Sequence, residues 1–239
     1  MAFSRRMMPT ESDPIETLTS DMAAIGMNFT ADQGRALSPS EPNIEDTLLF
    51  ASIEGMENRD LRVLAVLVTW FRIHAAWVNA DRLIRLIKMQ KSPRLRAFWS
   101  ALAGVHEKDR RFARLAKLYS GPRHDLADTG TDFQVKRNGE DQRFQDSPIR
   151  VASNLLRDRD ADVLAPADLA RRHLAYRRRI IMGPGYRADM WAALEKDGSL
   201  SAAALAKKTY GSFATAWRVR RDFDLVAMNE ARPVRSTRK

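Results

Sequence analysis

No cysteine occurs among the 239 residues, which excludes disulfide staples, thiolate nucleophiles and sulfur-ligated zinc. Histidine is scarce too. His74, His106, His124 and His173 are the full set, and none has a second histidine or a carboxylate at a metal-ligand spacing such as H-E-x-x-H. His74, on an apolar stretch, reads as a core or interface histidine, and His173, among arginines, as a solvated or phosphate-facing one. The phosphate-cradling pattern G-x-x-x-x-G-K-[ST] is missing. Gly183-Pro184-Gly185 is too short and too proline-bound for a dinucleotide loop, and reads as a stiff turn between helices. Asp158, Asp160 and Asp162 alternate as cation ligands do, but Arg157 and Arg159 interleave and a calcium loop's glycine and distal glutamate are missing. That stretch reads as a solvated loop. These absences predict a protein that is not an enzyme and needs no metal or cofactor.

Long apolar runs are also lacking. The most apolar stretch, Val63 to Val68, extends to Phe71 and is cut by Arg72 and His74. A membrane helix needs about 20 mainly apolar residues, so this is read as a buried core helix. The opening MAFSRRMMPTESDP has two arginines and no apolar stretch behind them, unlike a secretory signal. The expectation is a soluble, cytoplasmic protein with no membrane partner. Its 44% apolar and 29% charged residues are ordinary globular composition.

What is present in excess is positive charge, 40 Lys and Arg against 30 Asp and Glu, and it is unevenly distributed. Residues 1–60 carry four arginines and eleven acids; residues 82–117 carry eleven cations and two acids; residues 166–239 carry sixteen cations and seven acids. A polyanionic partner is favoured, nucleic acid first. For residues 82–117 a second reading stands slightly ahead, in which the acidic N-terminal region packs near the central helices and neutralises them.

Helical periodicity dominates the chain. Asp13-Pro14 opens a helix that Gly26 stops, and residues 27–42 read as a loop. Asn43 caps the next helix, and Arg59 to His74 follows. Asn79 starts a helix with Leu83, Ile84 and Ile87 inward and Arg82, Arg85 and Lys88 outward. Ser92-Pro93 opens another, and a last helix runs from about Glu107 to Tyr119. Periodicity then fades. Phe133 and Val135 alternate with polar residues before Asn138-Gly139, a pattern compatible with a short β-hairpin in a linker.

From Pro166 a helix runs past Ile180, with Arg171, Arg172, Arg177, Arg178 and Arg179 on its polar side. A helix from Tyr186 to Lys196 follows, then Ser201 to about Tyr210, Gly211, and Ser212 to about Phe223. The stretch SLSAAALAKKTYGSFATAWRVRRDFDLV, residues 199–226, resembles the helix-turn-helix, winged-helix-like modules of bacterial transcription regulators. Asp224 to Ala231 is the candidate for a wing strand. In the second helix Phe213, Ala216, Trp217 and Arg220 share the inward side with Val219, Phe223 and Val226, and Ser212, Thr215, Arg218 and Arg221 share the other.

The resemblance implies double-stranded DNA as partner. Ser212 can cap the helix whose N–H groups meet a phosphate, Thr215 can meet a base edge or a thymine methyl, and Arg218 can grip guanine O6 and N7. Arg220 and Arg221 fit phosphate contacts, as do Lys207, Lys208, Arg178, Arg179 and Arg187.

The chain is therefore expected to be mainly α. An acidic N-terminal helix and loop (1–43) precede a helical bundle (44–120) that supplies dimerisation or a protein-partner surface. A linker with a short hairpin (121–165) leads to the helix-turn-helix domain (166–228) and a disordered basic tail (229–239). The expected function is a sequence-specific, homodimeric transcriptional regulator associated with the nucleoid, an antitoxin-type autorepressor being one form. The alternative is a non-enzymatic helical interaction protein whose basic face binds an acidic protein or RNA.

Overall fold

Short polar side chains set the starts of several helices. The computed structural model describes residues 15–29, 41–127 and 129–230; residues 1–14, 30–40 and 128 and most of the expected tail, 231–239, lie outside the described residues. Asn43 Oδ1 accepts from the N–H groups of Glu45 and Asp46 at 3.1 and 3.3 Å. Asp60, Asn79 and Ser92 accept likewise from Val63, Arg82 and Leu95. Each cap pairs N–H groups that the helix itself leaves unpaired. They begin α2 (Ile44–Glu57), α3 (Leu61–His74), α4 (Ala80–Met89) and α5 (Pro93–Val105), preceded by α1 (Ile15–Ala24). The described residues are mainly helical, with a single two-stranded sheet, and fall into two compact units that meet in the chain between His173 and Leu174.

In the first unit α2 packs against α3 and α4. Gly55 lets α2 and α3 approach, because a Cβ there would stand 2.7 Å from Leu64. Trp99 on α5 is fully buried and donates its indole N–H to Ser52 Oγ on α2 at 2.9 Å. Arg82, expected outward, is fully enclosed. Its guanidinium meets Glu45 Oε2 at 3.0 Å, while Glu45 Oε1 accepts from the Asn79 N–H at 2.8 Å. One buried carboxylate thus ties α2 to the start of α4. No helix among the described residues is long and apolar enough to cross a membrane.

Four stretches differ from the sequence expectation, the first being residues 224–230, expected as a wing strand and the beginning of a disordered tail, which are helical. The helix expected over 107–119 is a 3-10 turn (Arg110–Phe112) followed by the four-residue α6 (Ala113–Ala116). Ser100 Oγ donates to the carbonyls of Leu115 and Ala116 and accepts from the Tyr119 N–H, which ends the helix there.

The expected hairpin around Phe133 is instead α7 (Thr131–Asn138), bracketed by Gly130 and Gly139 at φ 76° and 77°. The strands lie elsewhere: β1 (His124–Asp125) and β2 (Ile149–Arg150) pair in parallel, with Arg150 gripping Asp125 at 2.7 and 2.9 Å. Nor is 121–165 a linker, since Leu126, Phe144, Ile149, Val151 and Leu156 are buried. Arg123 gathers this segment by donating to the carbonyls of Phe144, Ser147 and Ile149.

The long helix expected from Pro166 breaks at His173 into α8 (Pro166–Arg172) and α9 (Leu174–Met182). His173 is extended and buried rather than solvated, with Nε2 3.2 Å from the Pro42 carbonyl and Nδ1 2.9 Å from Glu41. The change of unit falls at this break.

Candidate nucleic-acid interface

The second unit is built on α9, α10 (Tyr186–Lys196), α11 (Ala202–Thr209) and α12 (Phe213–Glu230). Ser201 starts α11 by accepting from the Ala204 N–H at 3.2 Å. Tyr210 ends it in a left-handed conformation, φ 56°, and Gly211 N–H reaches back to the Ala206 carbonyl at 3.0 Å, closing the helix as a Schellman motif does. Ser212 then caps α12, its Oγ accepting from Thr215 N–H at 3.0 Å and lying 2.7 Å from the Thr215 hydroxyl. Three residues therefore carry the chain from one helix into the next. Met190, Ala193 and Leu194 of α10, Leu205 of α11, and Ala216 and Val219 of α12 form a shared core. Trp191 meets Phe223 edge to face at 5.4 Å, a favoured aromatic geometry.

The eight cationic residues expected to face DNA separate into three groups. Arg218, Lys207 and Lys208 are exposed and make no ion pair among the described residues. Four other arginines are paired at or near the surface. Arg178 pairs with Glu195, Arg187 with Asp222 at 3.0 Å, Arg220 with Asp224 at 3.1 Å, and Arg221 with Asp222 at 3.0 Å. Arg220 also donates to the Leu200 carbonyl, which holds it to the start of α11. Arg179 does not belong to the surface at all. It is fully buried and bidentate to Asp189, at 2.7 and 3.0 Å, so its role is to tie α9 to α10.

The inward face of α12 is also not the expected one. Phe213 and Trp217 are 59% and 52% exposed, and Leu225 and Val226 are exposed as well. Ala216 and Val219 sit in the core shared with α10, and Phe223 packs on Trp191 beside them. A helix turns about 100° per residue, so a core stripe centred on Ala216, Val219 and Phe223 puts Ala214, Arg218 and Arg221 opposite it. Phe213 and Trp217 then flank that outer line. The stripe Ala216–Val219–Phe223, at i, i+3 and i+7, was the sequence signal for this orientation; ring size pointed the other way. The Arg221 guanidinium lies over the Trp217 ring, 5.6 Å from its centre, and a shallow groove runs between Trp217, Arg220, Arg221, Asp224 and Leu225.

In the other positive stretch, residues 82–117, five arginines are engaged within their own unit. Arg82 is buried against Glu45, Arg94 donates to the Leu126 carbonyl, and Arg96 to that of Gln90. Arg111 reaches the Ala75 carbonyl and Asp109, and Arg114 pairs with Asp81. The hydrogen bonds from Arg111 hold the Asp109 carboxyl below the usual carboxylate range. Asp158 and Asp160 face Arg143 and Arg72. Among the described residues no group of three or more His, Asp or Glu side chains could hold a metal ion.

Compared with protein-family models, curated proteins and solved structures, the chain matches none.

Proposed function

We propose that this chain is a sequence-specific, double-stranded-DNA-binding transcriptional regulator whose reading element is α12. The observation that carries this reading is the three-residue junction Tyr210-Gly211-Ser212, which joins two helices of one small core, with Arg218, Lys207 and Lys208 exposed and without ion pairs among the described residues. Arg218 offers the two-pronged donor that guanine O6 and N7 accept, and the lysines offer phosphate contacts. The N–H groups at the start of α12 favour an anion in addition.

One such module reads too few base pairs for useful specificity, so the regulator acts as a dimer. The first unit, with its separate core, supplies dimerisation or a partner-binding surface, in the manner of an antitoxin-type autorepressor. A cytoplasmic, nucleoid-associated protein without metal or cofactor fits this role.

A second reading has its own support. Exposed Leu225 and Val226 on the distal half of α12 suit an interaction protein that docks on an acidic protein.

Binding of the purified chain to its own upstream DNA and to random duplex of equal length, at two salt concentrations, tests the proposal. Preference for the upstream DNA that persists at the higher salt supports a sequence-specific regulator. Equal binding that vanishes with salt leaves only counterion release from phosphates and turns the assignment to the interaction protein.

A further inference from the structure

Phe213 and Trp217 occupy the first two turns of α12, more than half exposed, although either ring is large enough to fill a core. Arg220, Arg221 and Asp224 line the groove beside Trp217. Asp222 is neutralised by Arg187 and Arg221, and Asp224 by Arg220, while Arg218, Lys207 and Lys208 stay unpaired among the described residues. Arg221 adds its charge over the Trp217 ring itself. Exposed rings with arginines beside them are matched by a surface that is anionic at its edges and carries apolar groups within. The major groove of DNA is such a surface. Phosphates line it, and the C5-methyl of thymine is the apolar group on a base edge there. The excess of cations over acids in residues 174–230, ten against six, favours this occupant over a second copy of the same unit.

Resting on the DNA-binding reading, we propose that Phe213 and Trp217 read thymine, packing their exposed rings against C5-methyl groups while Arg218 contacts a neighbouring base. Specificity at those positions is then carried by apolar contact and not by hydrogen bonds.

The full-length chain is used to select duplexes from a random pool, and the best-bound duplex is remade with deoxyuridine at every thymine of its site, which removes only the methyl groups. The deoxyuridine duplex is expected to bind at least about fourfold more weakly, the factor for one methyl left in water. The double variant Phe213→Ala/Trp217→Ala is expected to bind both duplexes alike while keeping a wild-type circular dichroism spectrum. If that variant does not fold, the single variants Phe213→Ala and Trp217→Ala take its place, each expected to lose part of the discrimination.

Equal wild-type affinity for the two duplexes overturns the thymine assignment and leaves DNA binding standing. Undiminished discrimination by the folded double variant overturns the assignment to these two rings. A pool from which no sequence is enriched overturns the DNA-binding reading, and this one with it. If the double variant loses self-association and keeps its DNA affinity, the rings belong to an interface between copies, which also overturns the proposal.

Discussion

The terminal methyl of Met190 fills the space beside the α-carbon of Gly211, where a Cβ would stand 2.0 Å from it. The left-handed residue of this turn is Tyr210, so the glycine serves close packing and not backbone conformation. Met190 is flexible at its tip but has no exposed surface, which leaves it little room to withdraw. Gly211→Ala is expected to destabilise the second unit by about 1–3 kcal/mol, the usual range for overpacking a core. Urea unfolding should show a lower midpoint at unchanged slope, and Met190→Leu, which shortens the side chain, should recover part of the loss.

Arg179 and Asp189 form a buried, bidentate ion pair. Removing one partner leaves the other charge enclosed without compensation, at a cost of about 3–5 kcal/mol. Arg179→Ala should therefore lower the thermal midpoint strongly, and any loss of DNA affinity should follow the loss of fold. Arg178→Ala, at the neighbouring position, removes only a partly exposed pair and should shift stability by about 1 kcal/mol or less. Equal stability of the two variants would contradict this division of roles.

The helix starts were readable from the sequence because capping is local. Asn43, Asn79, Ser92, Ser201 and Ser212 each bond to an N–H two or three residues ahead, within the span of a motif. The misreadings share the opposite property. Arg82 looked like an outward cation because its partner, Glu45, is 37 residues away, and His173 looked solvated because Pro42 is 131 residues away. Around Phe133 the alternation was real, but Gly130 and Gly139 mark the ends of a two-turn helix, and such short segments fit either period. In the candidate interface the turn and the cap were legible. The orientation of α12 was legible only in the small-residue stripe Ala216–Val219–Phe223, against which the large Phe213 and Trp217 rings argued.

His74 links the first unit's stability to pH. It is buried, stacked on Trp70 with ring centres 4.6 Å apart, and its Nε2–H donates to the Leu164 carbonyl at 3.0 Å. Burial lowers its pKa from 6.5 to about 4, with the Leu164 bond opposing the shift. The unfolded chain therefore takes up a proton near pH 6.5 while the folded chain refuses it until about pH 4. The neutral histidine's contribution is full above pH 6.5 and is lost progressively as pH falls toward about 4. Over that window the loss amounts to roughly 3 kcal/mol. Unfolding free energies measured at pH 7.5 and 4.5 should differ by less in His74→Gln than in the wild type, after subtraction of the common carboxylate background.

Arg218 and Arg220 stand two residues apart on α12 and should respond oppositely to removal. Arg220 pairs with Asp224 and donates to the Leu200 carbonyl, so it braces the start of α11 against α12. Arg218 is exposed and has no ion pair among the described residues. Arg218→Ala should leave stability within about 0.5 kcal/mol, as exposed substitutions do. It should weaken binding to a selected DNA site by about 1–3 kcal/mol and relax the base preference at one position. Arg220→Ala should lower the unfolding midpoint, and its effect on DNA should be similar across sequences. A base contact by Arg218 predicts loss of specificity with little change in salt dependence. A phosphate contact predicts the reverse, a uniform weakening with the slope of log K against log salt reduced by about one. Measuring both variants on cognate and random duplex over a salt series separates these outcomes, and a wild-type-like Arg218→Ala on every duplex would remove α12's outer face from DNA recognition.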